Sequence, residues 1–302
     1  MLTIGNYHYI RDDFSKPYPS IFGVTPANFQ KQLEVLKTTG SFVTPKQLLE
    51  NYEAIVKSKE NYYLITFDDG LKEQYDLALP ILHEQGIEAL FFINSMNYIE
   101  KKVSLVHKIH LVRSEVSPKI IIEYLKKNDL DTELSNENIV TAVSHYKYDE
   151  IETAKLKYLL NFKLDKLSVE NVINSIFDNF FKESKIVEDL YMTFEQLKTL
   201  ASLNMLGSHT HGHLPLGLLN EEKLYEEIFT TKNFLNTLSS NRIEIISYPY
   251  GSTEACQNPV AKIAAELGYT IGLTMNRGVN RGTENKLLLN RYACNDLPGW
   301  KK

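Results

Sequence analysis

The feature that most constrains this chain is a rhythm: short apolar runs alternate with helix-patterned segments, twice, on either side of a stretch that breaks the pattern. In residues 1–102, "LTIGNYHYI" reads as a first strand. "TPANFQKQLEVLKTTG" then reads as a helix, with Thr25 as N-cap, Pro26 in the first turn and Gly40 at the close. "TPKQLLENYEAI" repeats the Thr-Pro start. "NYYLITF" is a strand, "YDLALPILHEQG" a helix stopped by Gly86, and "IEALFFIN" another strand. The rhythm resumes in residues 191–302. Thr193 and Gln196 have capping-box spacing, "NMLGSH" is a short strand, and Asn220 caps a helix through "NTL". "IEIISYPYG" is a strand, Asn258 and Pro259 open a helix that Gly268 ends, and "YTIGLT" and "KLLLNRYA" are the last strands. Seven or eight strands separated by helices imply a largely parallel sheet. The expected fold is α/β, a distorted (β/α) barrel of about seven strands, with a doubly wound open sheet as the alternative.

Residues 103–190 carry almost no strand pattern. "SPKIIIEYLKKN", "SNENIVTAVSHY", "IETAKLKYLLNF" and "SVENVINSIFDNFFKE" read as helices, and Val172, Ile173, Ile176, Phe177 and Phe180 form an apolar stripe best explained by core packing. This is a helical insertion between two halves of a barrel. It follows a strand's C-terminal end, the face on which barrel active sites lie, so it is expected to cap the site.

Composition narrows the partners. A net charge of −5 without a basic cluster argues against nucleic acid or an anionic membrane surface. Cys256 and Cys294 form no metal-binding spacing and read as two reduced thiols. No apolar run approaches the roughly 18 residues of a membrane span. "MLTIGNYHYIRDDF" lacks a basic region followed by an apolar stretch, so a cytoplasmic location is expected. Oligomeric state is not legible.

Three strand ends carry chemistry. "TFDDG" places Asp68 and Asp69 side by side after a buried-looking strand, where two like charges repel and lose hydration. Alone it reads as a turn. "GSHTHGH" holds three of the chain's eight histidines; His209 and His213 are four apart, a common metal-ligand spacing, and an extended backbone would put His211 on their face as well. "SYPYG" reads as a tight turn able to aim a backbone N–H at a ligand. In a parallel barrel all strand C-termini meet on one face, which gathers Asp68, Asp69, His209, His213 and Tyr250. Two imidazoles and one carboxylate suit Zn²⁺ or a similar divalent ion, and the second carboxylate is left to act as a base.

In that order, TFDDG, H-[ST]-x-x-H and x-x-PYG, the sequence resembles the polysaccharide deacetylase family, also called carbohydrate esterase family four or the chitooligosaccharide deacetylase homology domain. The resemblance covers about residues 1–100 and 193–295. It implies a distorted (β/α) barrel, a divalent metal, commonly zinc, and hydrolysis of acetamide or related groups on sugars. It assigns Asp68 as general base, Asp69, His209 and His213 as metal ligands, and Thr210 as the small hydroxyl residue of the second motif. The Tyr250 backbone N–H would hold the oxyanion, with Pro249 setting the turn beside Gly251 at the substrate. Members place an arginine two residues before that proline to brace the base; here the position is Ser247, and Arg291 of "LLLNRYA" is the candidate substitute. Members with a late Leu-x-His motif use its histidine as general acid; here Asn290 stands in that region. His8, at the end of the first strand, is the candidate acid, while His107 and His110 of "VHKIH" read as structural. Without a signal peptide, a small or lipid-linked sugar is the expected substrate. The alternatives are hydrolysis of a non-sugar linear or cyclic amide, and a metal-binding relative without catalysis.

Overall fold

A computed structural model describes residues 1–14, 23–146 and 149–299. The chain divides into two compact units. One comprises Met1–Asp13, Phe22–Lys102 and Val187–Lys302; the other is built on Val103–Ile186.

Among the described residues the first unit carries eight strands: β1 (Leu2–Tyr7), β2 (Ser41–Phe42), β3 (Tyr62–Phe67), β4 (Ala89–Ile93), β5 (Leu206–Ser208), β6 (Ile245–Ser247), β7 (Ile271–Leu273) and β8 (Tyr292–Ala293). The bonded order is β7-β6-β5-β4-β3-β1-β8, with every pairing parallel. One segment closes the ring. Leu289 bridges Leu273 of β7, and β8, three residues on, pairs with Gly5 and Asn6 of β1. Seven strands therefore form a distorted barrel, and β2 lies off the ring against the start of β3.

Sequence-encoded caps set the helices. The Thr25 side chain accepts from Asn28 N at the start of α1 (Pro26–Thr39), and a full capping box with Thr44 and Gln47 starts α2 (Pro45–Lys57). α2 contributes Leu48, Tyr52, Ile55 and Val56 to one buried cluster with Leu2, Ile4, Leu64, Leu90, Ile245, Ile271 and Leu273 of the strands. Each such side chain removed from water contributes about 1.5–3 kcal/mol. The helix expected over residues 75–86 is instead a π-helical turn, Gln74–Ala78, running into α3 (Leu79–Gln85). Pro80 has no N–H to give to the preceding turn, which widens. α4 (Met96–Ile99) follows β4.

The second unit is helical: α5 (Leu105–Glu115), α6 (Pro118–Lys127), α7 (Asn136–His145), α8 (Ile151–Tyr158) and α9 (Lys166–Phe180). Val172, Ile173, Ile176 and Phe177 of α9 are buried as expected. Phe180 is not: it ends the helix 53% exposed, and the next ring, Phe181, stacks on Phe177 instead. α10 (Glu183–Leu190) leads back to the first unit, where α11 (Phe194–Ser202), α12 (Glu221–Leu238) and α13 (Val260–Glu266) complete the barrel. Thr193 and Asn220 cap α11 and α12; Asn258 does not cap α13, which begins at Val260. The "KLLLNRYA" strand is shorter than its pattern suggests, because Asn285 accepts from Leu287 N and folds Lys286–Leu288 into a 3₁₀ turn. Among the described residues no helix is long and apolar enough to cross a membrane.

Candidate active site

The three motifs meet at the C-terminal ends of β3, β5 and β6. Asp68 and Asp69 follow β3 directly, and the last rung between β1 and β3 is Asp68 N–H donating to Tyr7 O at 3.1 Å. Asp69 then turns with φ of 80°. Thr210, His213 and Tyr250 also have positive φ, so four of the seven described non-glycine residues in that region fall within the motifs. Such strain is held only where surrounding structure over-determines it, and it concentrates at functional sites.

Asp69, His209 and His213 are all buried, and their donor atoms lie within 4.8 Å of one another. Asp69 Oδ1 is 3.3 Å from His213 Nε2 and 3.5 Å from His209 Nε2. Ligands 2.0–2.1 Å from a tetrahedral ion stand about 3.3 Å apart along each edge. The three residues therefore fit a divalent cation. His209 Nδ1 lies 2.7 Å from Ser247 O; donating its proton there leaves Nε2 as the electron-pair donor facing the carboxylate. Burial pulls the His209 pKa down, but the Asp68 and Asp69 carboxylates outweigh it and raise it. This is a buried place of negative potential.

Asp68 is treated differently from its neighbour. Arg291 grips it with two bonds, Nη1 to Oδ1 at 3.0 Å and Nη2 to Oδ2 at 2.9 Å. Asn6 Nδ2 donates to Oδ2 at 2.9 Å. Burial pushes the carboxyl upward, but the guanidinium prevails, and Asp68 is held well below the ordinary carboxylate range. Arg291 is wholly buried; its Nε donates to Thr274 O at 2.8 Å and Nη2 also donates to Ser247 Oγ at 2.8 Å. Ser247 thus serves two partners, holding His209 by its carbonyl and Arg291 by its hydroxyl. A short side chain here leaves room for a guanidinium arriving from the far end of the chain.

The remaining sequence candidates sort clearly. His8 is exposed just beyond β1. The Tyr250 ring is 40% exposed and packs edge-on against His213, with centroids 5.1 Å apart. Pro249 and Gly251 are buried on either side of it. Gly251 has φ of 59°, and a Cβ there would lie 2.4 Å from Met275 N, so this turn requires glycine. His211 does not share the face of its neighbours. Its Nδ1 meets Ser95 Oγ and its Nε2 meets Glu100 Oε1, both at 2.8 Å. The bent backbone at Thr210 turns it outward, where it anchors the loop. Asn94 Nδ2 donates to the His209 and Thr210 carbonyls, and Glu227 Oε2 accepts from Gly212 N at 2.7 Å. His107 is buried in α5 of the helical unit.

Sequence reading missed Asn6 and Gln74. Asn6 had a signal, a polar residue inside an apolar strand. Gln74 had none.

A family model described as polysaccharide deacetylase matches residues 55–128 and 180–272, together more than half of the chain. The chain belongs to the polysaccharide deacetylase family. The fold agrees. The Streptococcus pyogenes deacetylase PplD in complex with acetate is similar with a TM-score of 0.57 at 18% identity, covering 97% of this chain and 91% of that one. IcaB from Ammonifex degensii gives 0.57 at 16% identity, over 97% and 91% of the two chains. The BpsB deacetylase domain from Bordetella bronchiseptica gives 0.55 at 14%, over 97% and 95%. No curated protein matches the sequence significantly. In this chain Arg291, arriving from the segment beside β8, supplies the guanidinium that pairs with Asp68, and it also donates to Ser247 Oγ.

Proposed function

We propose that this chain removes an N-acyl group, acetyl in the first instance, from a small or lipid-linked sugar, with Asp69, His209 and His213 holding a divalent cation such as Zn²⁺. A cation there supplies Lewis-acid chemistry, lowering the pKa of a water and polarising the acyl carbonyl. Asp68 takes the proton from the attacking water. Arg291 keeps it ionised at any working pH, and Asn6 fixes its plane. The Tyr250 backbone N–H supports the developing oxyanion. His8 returns a proton to the departing amine nitrogen, so that the C–N bond breaks to an amine and a carboxylic acid.

One observation carries this reading: a buried Asp-His-His cluster of ligand spacing, beside a second carboxylate held ionised by a guanidinium. Family membership supports a carbohydrate substrate. The similar PplD structure holds acetate, the acid that deacetylation releases. The test is acetate release from N-acetylglucosamine oligomers by the zinc-loaded protein. Asp68→Asn should lower kcat by about 10²–10⁴ while zinc still binds. Undiminished release by that variant would refute the base assignment.

A further inference from the structure

Gln74 has no part in the scheme above, yet it is wholly buried beside it. Its Nε2 donates to Asp68 O at 2.6 Å and to His8 O at 2.9 Å. These carbonyls belong to the residues that follow β3 and β1, beyond the last backbone rung at Asp68 N and Tyr7 O. The two strands part here, and the amide spans the gap as one further rung made by a side chain. Its orientation is fixed by chemistry, since a flipped amide would set Oε1 against two carbonyl oxygens. Gln74 is also the first residue of the π-helical turn, with its own carbonyl accepting from Leu79 N. π-helical turns of this kind recur at functional sites.

We propose that Gln74 is a positioning residue that fixes the separation between His8 and Asp68, the groups that give and take the proton. The proposal rests on the acid and base roles assigned above. Gln74 reaches neither side chain, so it acts through the backbone of each. A displacement of about 1 Å between reacting groups costs up to roughly 10²-fold in rate, and this amide is what prevents it.

The experiment is a double-mutant cycle on the zinc-loaded protein, reading kcat, KM and zinc content with an N-acetylglucosamine oligomer. Gln74→Leu should lower kcat by about 10–100-fold, with KM within about twofold and one zinc retained. Gln74→Asn keeps both N–H donors but loses a methylene, and should fall nearly as far; it serves if the leucine variant does not fold. In a His8→Ala background the Gln74 substitution should cost less than about threefold more, because the geometry it guards no longer matters. An unchanged kcat in both Gln74 variants, or a full multiplicative loss on top of His8→Ala, overturns the proposal and leaves the acid assignment standing. If His8→Ala alone keeps its kcat, the acid assignment falls and this proposal falls with it.

Discussion

Arg291→Met is the most informative single change, because Arg291 is wholly buried and most of its partners are fixed. The substitution keeps much of the volume and removes the charge. Asp68 would lose both guanidinium bonds and keep only Asn6 among its amide and guanidinium donors. Thr274 O would lose its bond from Arg291 as well. Removing one partner of a buried ion pair costs about 3–5 kcal/mol. In a unit of this size each kcal/mol moves Tm by roughly 2–4 °C, so the melting temperature should fall by at least about 6 °C. pH supplies the sign. In the native protein the folded-state pKa of Asp68 lies below its unfolded value, so its contribution is complete above about pH 5 and drains away as pH falls through the folded pKa. Without Arg291, burial is the largest influence left, and it raises the carboxyl pKa. Ionisation of Asp68 then costs stability as pH rises. The Tm gap between variant and native protein should therefore narrow from about pH 7 to about pH 4, measured by scanning calorimetry. Arg291→Met/Asp68→Asn should recover at least half of the loss at neutral pH. A single variant melting within about 2 °C of the native protein, or a double variant no better than the single, refutes the reasoning.

The other predictions concern the same face of the barrel. Asp69→Asn and His213→Ala should each weaken zinc binding by at least about 100-fold in calorimetric titration, and unchanged affinity would remove them as ligands. Ser247→Ala should cost only about 1 kcal/mol, one hydrogen bond to Arg291, while Ser247→Arg should cost several times more by crowding two guanidinium groups into one buried space; equal denaturation midpoints would refute the shared-space account. Gly251→Ala should cost roughly 2–3 kcal/mol and lower kcat, since its Cβ would meet Met275 N in a backbone of positive φ. Native-like melting there would show that the turn yields.

The barrel was legible because its signals are local. Thr-Pro starts, capping boxes and apolar runs recur on schedule, and the cap at Thr44 forms as its letters suggest. The motif residues converge for a topological reason, since parallel strands end on one face. Departures arose where periodicity is blind, either to a local backbone irregularity or to a distant partner. Proline at position 80 widens a turn whose periodicity reads as plain helix. His211 follows the spacing of its neighbours, but a left-handed Thr210 turns it away, which no periodicity encodes. Arg291 could be named as a candidate from the last strand, yet its two-pronged grip depends on Ser247 being short, a correlation across the fold. Gln74 gave no sign, because a side chain that bonds backbone carbonyls leaves no pattern in the letters around it.

Ring closure has a consequence for the order of events during synthesis. The Asp69, His209 and His213 cluster is complete once His213 has emerged, but the guanidinium that pairs with Asp68 arrives some eighty residues later, on the segment that joins β7 to β1. Until then Asp68 lacks the guanidinium that offsets the cost of its burial. The ribosome therefore delivers the electrostatic keystone and the final strand together. A nascent chain halted before residue 289 would hold its half-site open to water, and release would couple closure of the wall to ionic compensation of the site in a single late step.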